Sequence, residues 1–223
     1  MTGAPAGPPR VSRRRAVVTV VLGLIAAGAL AGAAWAWLAP PIAAVIGLTR
    51  GGERVHGYVG DAADHLFLGA FLLPGLVSVV AVVATAVVWR WRAHRGPAMV
   101  GALTVGALAG TAVAAGVGAA LARWRWGAVD LASAPVTPES RVYYFFEAPS
   151  VFFGHAPLQI AVSIVFPAGI AALAYALCAL STPRDDLGAW PPVDTPAWPA
   201  PEFSGPAATA GDVPPADPGS PSR

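Results

Sequence analysis

Residues 66–89 read LFLGAFLLPGLVSVVAVVATAVVW, a run of 24 residues without a single Asp, Glu, Lys, Arg or His. Three other stretches of 23 to 25 residues share this property: 16–38, 98–122 and 158–180. A helix rises about 1.5 Å per residue, so each stretch is long enough to cross a hydrocarbon core of roughly 30 Å. The sequence therefore predicts an all-α membrane protein with four transmembrane helices.

The composition agrees with this class, because 56% of the residues are apolar and only 12% are charged. All charged residues lie in the connections and the tails. The C-terminal 43 residues contain eleven prolines, and such a segment cannot bury enough apolar surface to fold alone. We expect three regions: a disordered basic cytoplasmic tail at 1–15, a four-helix transmembrane module at 16–180, and a disordered Pro-rich cytoplasmic tail at 181–223.

The arginines are distributed unevenly between the two sides of the predicted bundle. Five lie on the side of the longer loops, and eight lie near the membrane on the side of the termini: Arg10, Arg13, Arg14, Arg15, Arg90, Arg92, Arg95 and Arg184. Because cytoplasmic segments retain an excess of positive charge, this pattern places both termini in the cytoplasm. Arg123 and Arg125 abut the third span on the outer side and count against this orientation.

Tryptophans mark three predicted span boundaries as Trp-x-Trp pairs: Trp35 and Trp37, Trp89 and Trp91, and Trp124 and Trp126. An amphipathic indole is favoured at the boundary between membrane and water. We therefore expect all three pairs to form an interfacial belt.

Small residues follow one face of two predicted spans. In lipid, helices associate through close packing and small side chains rather than through a hydrophobic drive. The residues expected at such contacts are Gly28 and Gly32 in the first span and Gly106, Gly110 and Gly118 in the third.

Pro74 and Pro167 interrupt the second and fourth spans near mid-membrane. Proline lacks the N–H that would bond the carbonyl one turn earlier, so both helices are expected to kink. Neighbours such as Ser78 or Ser163 are the expected partners of the freed carbonyls.

Two loops, about 39–65 and 123–157, connect the spans on the outer side. Within them we expect three local structures: a short interfacial helix at Ile42–Leu48, a hairpin turn at Gly51-Gly52 and a strand at Arg141–Glu147. The loops together predict a small extracytoplasmic cap with short β-strands. Alternatively, the aromatic run of the second loop dips into the membrane interface.

The cap holds most of the polar chemistry, since the spans contain no Asp, Glu, Lys, Arg or His. Candidate metal ligands are His56, His65, His155, Asp61 and Asp64, although Asp61 or Asp64 would equally serve to cap a helix. Other charged residues of the loops are expected either to form ion pairs that hold the two loops together or to bind a lipid headgroup. These residues are Arg54, Arg141 and Glu147, with Glu53 and Glu139.

No H-E-x-x-H, paired C-x-x-C, G-x-S-x-G or P-loop motif is present, which weighs against an enzyme. No cofactor is predicted. The lack of ionisable residues inside the spans also argues against an ion-coupled carrier made from one chain.

Several short sequences are distinctive: WAWLAPP at 35–41, RVH at 54–56, WRAHRGP at 91–97, APVTPE at 134–139 and FFGH at 152–155. Through them the chain resembles, from about Arg14 to Thr182, a family of uncharacterised multi-pass membrane proteins from actinobacteria. That family is defined only as a domain of unknown function. The resemblance implies an actinobacterial plasma-membrane protein and brings no activity.

Three functional hypotheses follow. The leading one is a non-enzymatic scaffold or accessory subunit of the cell envelope, acting through its outer loops and small-residue helix faces. The second is a lipid or small-molecule transporter or channel subunit, and the third is a metal-dependent enzyme on the outer face that uses His56, His65 and His155. The expected partners are the lipid bilayer and either a second copy or another membrane protein, with no nucleic acid.

Overall fold

The computed structural model describes residues 10–127, 130–183 and 186–189. Four helices are long and apolar enough to cross a membrane, so the predicted four-helix fold class is confirmed. They are α1 (Arg13–Leu38), α2 (Ala62–Arg90), α3 (Pro97–Trp126) and α4 (Pro157–Leu180). Most of the predicted tails, 1–15 and 181–223, lies outside the described residues, and their disorder stays a prediction.

The helices begin and end at recognisable local signals. Ser12 caps α1, its Oγ accepting from the Arg15 N–H at 3.4 Å, so this helix starts three residues earlier than predicted. Pro157 lies in the first turn of α4, where its missing N–H has no helical partner to lose. A short 3₁₀ turn at Arg92–His94 links α2 to α3. His94 is buried there and donates from Nε2 to the Val11 carbonyl at 2.9 Å.

The small-residue faces of α1 and α3 pack against each other. A Cβ added at Gly28 would overlap the backbone of Gly110, and one added at Gly32 would overlap the Ala114 carbonyl. A Cβ at Gly118 would lie 2.8 Å from the Trp35 ring. All five glycines singled out from the sequence therefore lie in the α1–α3 contact, where the two faces are occupied by each other.

Pro74 lies inside α2 and Pro167 lies inside α4, as predicted from the sequence. The serines expected to compensate for them are arranged differently. Ser163 Oγ donates to the Gln159 carbonyl of its own helix at 2.9 Å, and Ser78 Oγ is buried without a partner in the described part of the chain. The predicted serine compensation is therefore wrong, because Ser163 bonds the preceding turn instead. The kinks themselves stay a prediction.

The tryptophan pair at the end of α1 divides between two environments. Trp37 is 70% exposed, as expected of an interfacial residue, whereas Trp35 is 0% exposed. The Trp35 ring lies against Gly118 of α3, and its Nε1 donates to the Gly69 carbonyl of α2 at 2.7 Å. The predicted place of Trp35 in the belt is wrong, because three helices enclose it and its polar atom is satisfied internally.

The cap contains a three-stranded antiparallel sheet of order β2-β1-β3. Its strands are β1 (Ile42–Leu48), β2 (Arg54–Tyr58) and β3 (Val142–Glu147). The predicted interfacial helix at Ile42–Leu48 is wrong, because this stretch bonds a strand on each side as the centre of the sheet. The strand near 141–147 is confirmed. The hairpin turn is also confirmed, with Gly52 at a φ of +83° and the Thr49 N–H donating to the Glu53 carbonyl at 2.8 Å.

Substitution of Gly28 by Ala should destabilise the fold by about 1–3 kcal/mol, because the added methyl group meets the backbone of α3 rather than a movable side chain. The matched control is Gly23→Ala in the same helix, where nothing lies within 4 Å of the added carbon. Thermal melting of the purified chain in mild detergent measures both. Equal melting temperatures for the two variants would contradict the α1–α3 contact.

Substitution of Trp35 by Phe should cost about 2–3 kcal/mol, since it removes the bond to Gly69 and leaves part of the site empty. Trp37→Phe, two residues along in the same motif, should leave the melting temperature nearly unchanged, because that ring is mostly exposed. A larger drop in melting temperature for Trp37→Phe than for Trp35→Phe would show that the two environments are reversed.

Candidate functional site

One face of the cap sheet is covered by the chain itself. On β1 every second residue, Ile42, Ala44 and Ile46, is almost completely buried. Ile46 packs under Ala134 and Val136 of the connection between α3 and β3. This inner sheet face also carries the side chains of β2 and β3 that are paired with those positions or with Leu48: Arg54, His56, Tyr58, Tyr143, Phe145 and Glu147.

Arg54 holds the covering connection in place. Its Nη1 donates to the Ala132 carbonyl at 2.8 Å and its Nη2 to the Ala134 carbonyl at 3.4 Å. Arg141 donates from Nε to the Pro138 carbonyl at 3.1 Å. The expected ion pairs of these arginines do not form in the described part of the chain, because loop carbonyls satisfy the guanidinium groups instead.

The histidines and carboxylates expected to bind metal are dispersed among other contacts. His56 Nε2 lies 3.3 Å from the Glu147 carboxylate, and His65 donates from Nδ1 to the Pro41 carbonyl at 3.1 Å. Asp61 is the N-cap residue of α2, and Asp64 lies in its first turn, where a negative charge is favourable. His155 is exposed before α4. Among the described residues, no group of three or more His, Cys, Asp or Glu side chains is placed to hold a metal ion.

The polar side chains of the inner sheet face form a small cluster. The His56 ring meets the edge of the Tyr58 ring with centroids 5.1 Å apart. Partial burial, and secondarily the negative charge of Glu147, raises the pKa of the Tyr58 phenol above its ordinary value. The cluster therefore favours a neutral Tyr58 beside the His56–Glu147 pair.

The opposite face of the sheet is apolar and open. Because side chains alternate along a strand, the register places eight residues on this face, none of them charged. We call this the apolar sheet face, made of Ala43, Val45, Gly47, Val55, Gly57, Val142, Tyr144 and Phe146. Its largest side chains are well exposed, with Tyr144 at 69% and Phe146 at 58%.

The apolar sheet face continues into the end of the helical bundle. The Phe146 ring lies 6.3 Å from the Trp126 ring at the end of α3. Arg125 stacks over both Trp126 and Trp37, at 4.9 and 4.6 Å from the ring centroids. The open face of the cap therefore borders the aromatic end of α1 and α3.

Sequence reasoning missed this surface for a physical reason. In β3 both faces are aromatic, because Tyr143 and Phe145 alternate with Tyr144 and Phe146, so no apolar–polar alternation is visible. The available signal was the absence of charge between Arg141 and Glu147, the aromatic run for which a dip into the membrane interface was the alternative prediction.

Residues 24–189 match the family described as "Protein of unknown function (DUF2567)". The chain belongs to the DUF2567 family. It is 52% identical over 175 residues to an uncharacterized protein of Mycobacterium tuberculosis (strain ATCC 25618 / H37Rv), covering 78% of this chain and 91% of that protein. It is 49% identical over 181 residues to an uncharacterized protein of Mycobacterium leprae (strain TN), covering 81% and 90% of the two chains. No solved structure matches it.

The relatives confirm the resemblance to an uncharacterised actinobacterial family. The part that matches the DUF2567 family includes the whole cap, together with α2, α3 and α4. The names of these relatives state no activity, so the function of this DUF2567 chain has to be argued from its geometry.

The charge of Glu147 should be measurable through Tyr58. Glu147→Gln removes a negative charge that disfavours the phenolate, so the pKa of Tyr58 should fall toward its ordinary value of about 10. Ultraviolet titration of phenolate, as a difference against Tyr58→Phe, measures this. Glu139→Gln, an exposed carboxylate in the same loop, is the matched control.

The sign of the stability effect follows from the same shift. A raised pKa in the folded state means that the contribution of Tyr58 to stability is present below about pH 10 and is lost as the pH rises through the raised value. An unchanged Tyr58 titration in Glu147→Gln would contradict the cluster.

Proposed function

We propose that this chain is a non-enzymatic accessory subunit of the cell envelope. Its four helices anchor it in the plasma membrane with both termini in the cytoplasm, and its cap binds a second, different membrane protein through the apolar sheet face. The observation that carries this proposal is the open, uncharged face of eight residues on the cap.

The polarity of the sheet is inverted relative to that of a free-standing cap. An antiparallel sheet with one face in water normally buries its apolar side chains and exposes its polar ones. Here His56 and Glu147, with side chains 25% and 26% exposed, share the inner face with the exposed Arg54, whereas Tyr144 and Phe146 lie on the open side. Large exposed apolar patches mark surfaces that bind a protein or a membrane.

The edge of the sheet supports the same interpretation. β3 lies at one edge, and its sequence VYYFFE contains no Lys and no Pro. Charged residues and prolines are the usual means by which an exposed edge strand avoids pairing with another chain. The single charge of this edge strand, Glu147, lies at its end and pairs with His56, so the rest of the strand lacks these protections, which favours a covering partner.

The position of the face favours a membrane protein as that partner. Through Phe146 and Trp126 the apolar sheet face borders the end of a predicted span. A protein that covers this face therefore also reaches the predicted membrane surface. A second copy of the chain is less favoured, because the small-residue faces that would pair two copies are occupied within the α1–α3 contact.

A photo-crosslinking residue placed at position 144 or at position 143 tests the proposal. The two positions are adjacent tyrosines on opposite faces of β3, so they form a matched pair. In native membranes, position 144 should crosslink to one membrane protein in stoichiometric amount, and position 143 should not. The crosslink should be lost when Phe146→Asp is added, because a charge on the face cannot be buried without a partner charge.

Three results would overturn this assignment. Crosslinks from position 144 to lipid alone would make the face a membrane-surface contact, and crosslinks to a second copy of the chain would make it a homodimer interface. Equal capture from positions 143 and 144 would also contradict it, since specific docking distinguishes the two faces.

A further inference from the structure

A groove of about 740 Å³ lies between α1 and α2 in the half of the bundle near the chain termini. Its walls are apolar, and its polar lining residues, Thr19, Arg90 and Trp91, include the end of α2. Arg90 and Trp91 are adjacent to the short turn that leads to α3. The groove therefore has an apolar body and a basic, amphipathic mouth.

The groove follows from how the helices share their faces. α1 turns its small-residue face to α3, and Gly23, on another part of its surface, has nothing within 4 Å of a Cβ. On α2, the residues Val79, Val83 and Val87 recur every four positions and line the opposite wall. They form an apolar stripe about 12 Å long that leads toward Arg90. Such a narrow, extended and apolar space suits a hydrocarbon chain.

The mouth of the groove carries positive charge that no described residue neutralises. Arg90 is exposed and forms no hydrogen bond or ion pair within the described residues. Arg15 lies one turn before Thr19 on the same face of α1, and the first turn of this helix contains no acidic residue. Arg90 in the groove lining, with Arg15 one helical turn beyond its Thr19 end, is complementary to an anionic headgroup at the end of an acyl chain.

We propose that this groove binds an anionic phospholipid, with one acyl chain along the valine stripe of α2 and the phosphate at Arg90 and Arg15. The site is recessed, because the buried side chains of Val20, Leu24 and Val88 form its floor. It therefore differs from the general lipid contact of an exposed helix surface. The site lies at the end of the bundle opposite to the cap and does not depend on the function proposed for the apolar sheet face.

Two variants test the apolar and the charged parts of the site separately. Gly23→Leu places a side chain into the groove at a position where nothing lies within 4 Å of the Cβ, and Gly101→Leu adds the same side chain at another exposed helical glycine with an equally open Cβ position. Arg90→Gln removes the charge at the mouth, and Arg92→Gln removes an equal charge from a neighbouring exposed residue outside the groove lining.

Native mass spectrometry of the full-length chain, titrated with phosphatidylglycerol or phosphatidylcholine, gives the readout. Phosphatidylglycerol should bind more tightly than phosphatidylcholine, and Arg90→Gln should weaken its binding about fivefold. Gly23→Leu should weaken binding of both lipids, whereas Gly101→Leu and Arg92→Gln should bind like the wild-type chain. Glycerol phosphate without acyl chains should not bind, which separates a lipid site from a simple phosphate site.

Equal affinities for the two lipids would overturn the proposal, and so would unchanged phosphatidylglycerol binding in Gly23→Leu. Either result would show that the groove makes only the ordinary contact of a membrane helix with bulk lipid. Melting temperatures of the four variants in detergent check that each has folded, so that a loss of lipid binding is not a loss of structure.

Discussion

The close approach of the α1 and α3 backbones at Gly28 and Gly110 sets the spacing on which the other contacts of the bundle depend. Because these helices have no side chain between them there, Trp35 can lie against Gly118 further along the same helix pair. From that position its indole N–H reaches the Gly69 carbonyl and joins α2 to the pair. In lipid, where apolar surface alone gives helices little reason to associate, backbone proximity and one buried hydrogen bond are effective means of fixing three helices together.

The same arrangement determines where the cap begins. Trp35 lies near the end of α1, and β1 starts seven residues later at Ile42, so anchoring the ring also anchors the first strand. His65 strengthens this junction by donating to the Pro41 carbonyl from the start of α2. The third strand reaches the sheet from the connection after α3. The cap is thus held by chain segments from three helices and keeps a fixed relation to the bundle end where Trp37 and Trp126 lie.

Much of the helical architecture could be predicted from the sequence, because an uncharged run of more than 20 residues leaves few alternatives to a membrane-length helix. The cap was harder. Ile42–Leu48 is a short apolar run whose periodicity fits helix and strand alike, and its partner β3 lies about a hundred residues away in sequence. Trp35 and Trp37 look equivalent in the motif, but at 3.6 residues per turn they lie on nearly opposite sides of the helix. The role of Arg54 was missed because its acceptors are main-chain carbonyls, which carry no sequence signal.

The contrast between the two sheet faces gives the strongest physical reason to look for a partner. On the inner face, the charged groups have their compensation within the chain: Arg54 bonds carbonyls, and His56 pairs with Glu147. On the outer face, Tyr144 and Phe146 have no comparable compensation, because most of their apolar area is exposed. The valines of α2 also expose apolar area, but they lie in a predicted span, where contact with lipid accounts for their exposure. At the cap, only the border with Trp126 adjoins a predicted span, and the proposed membrane-protein partner would cover the rest of the face.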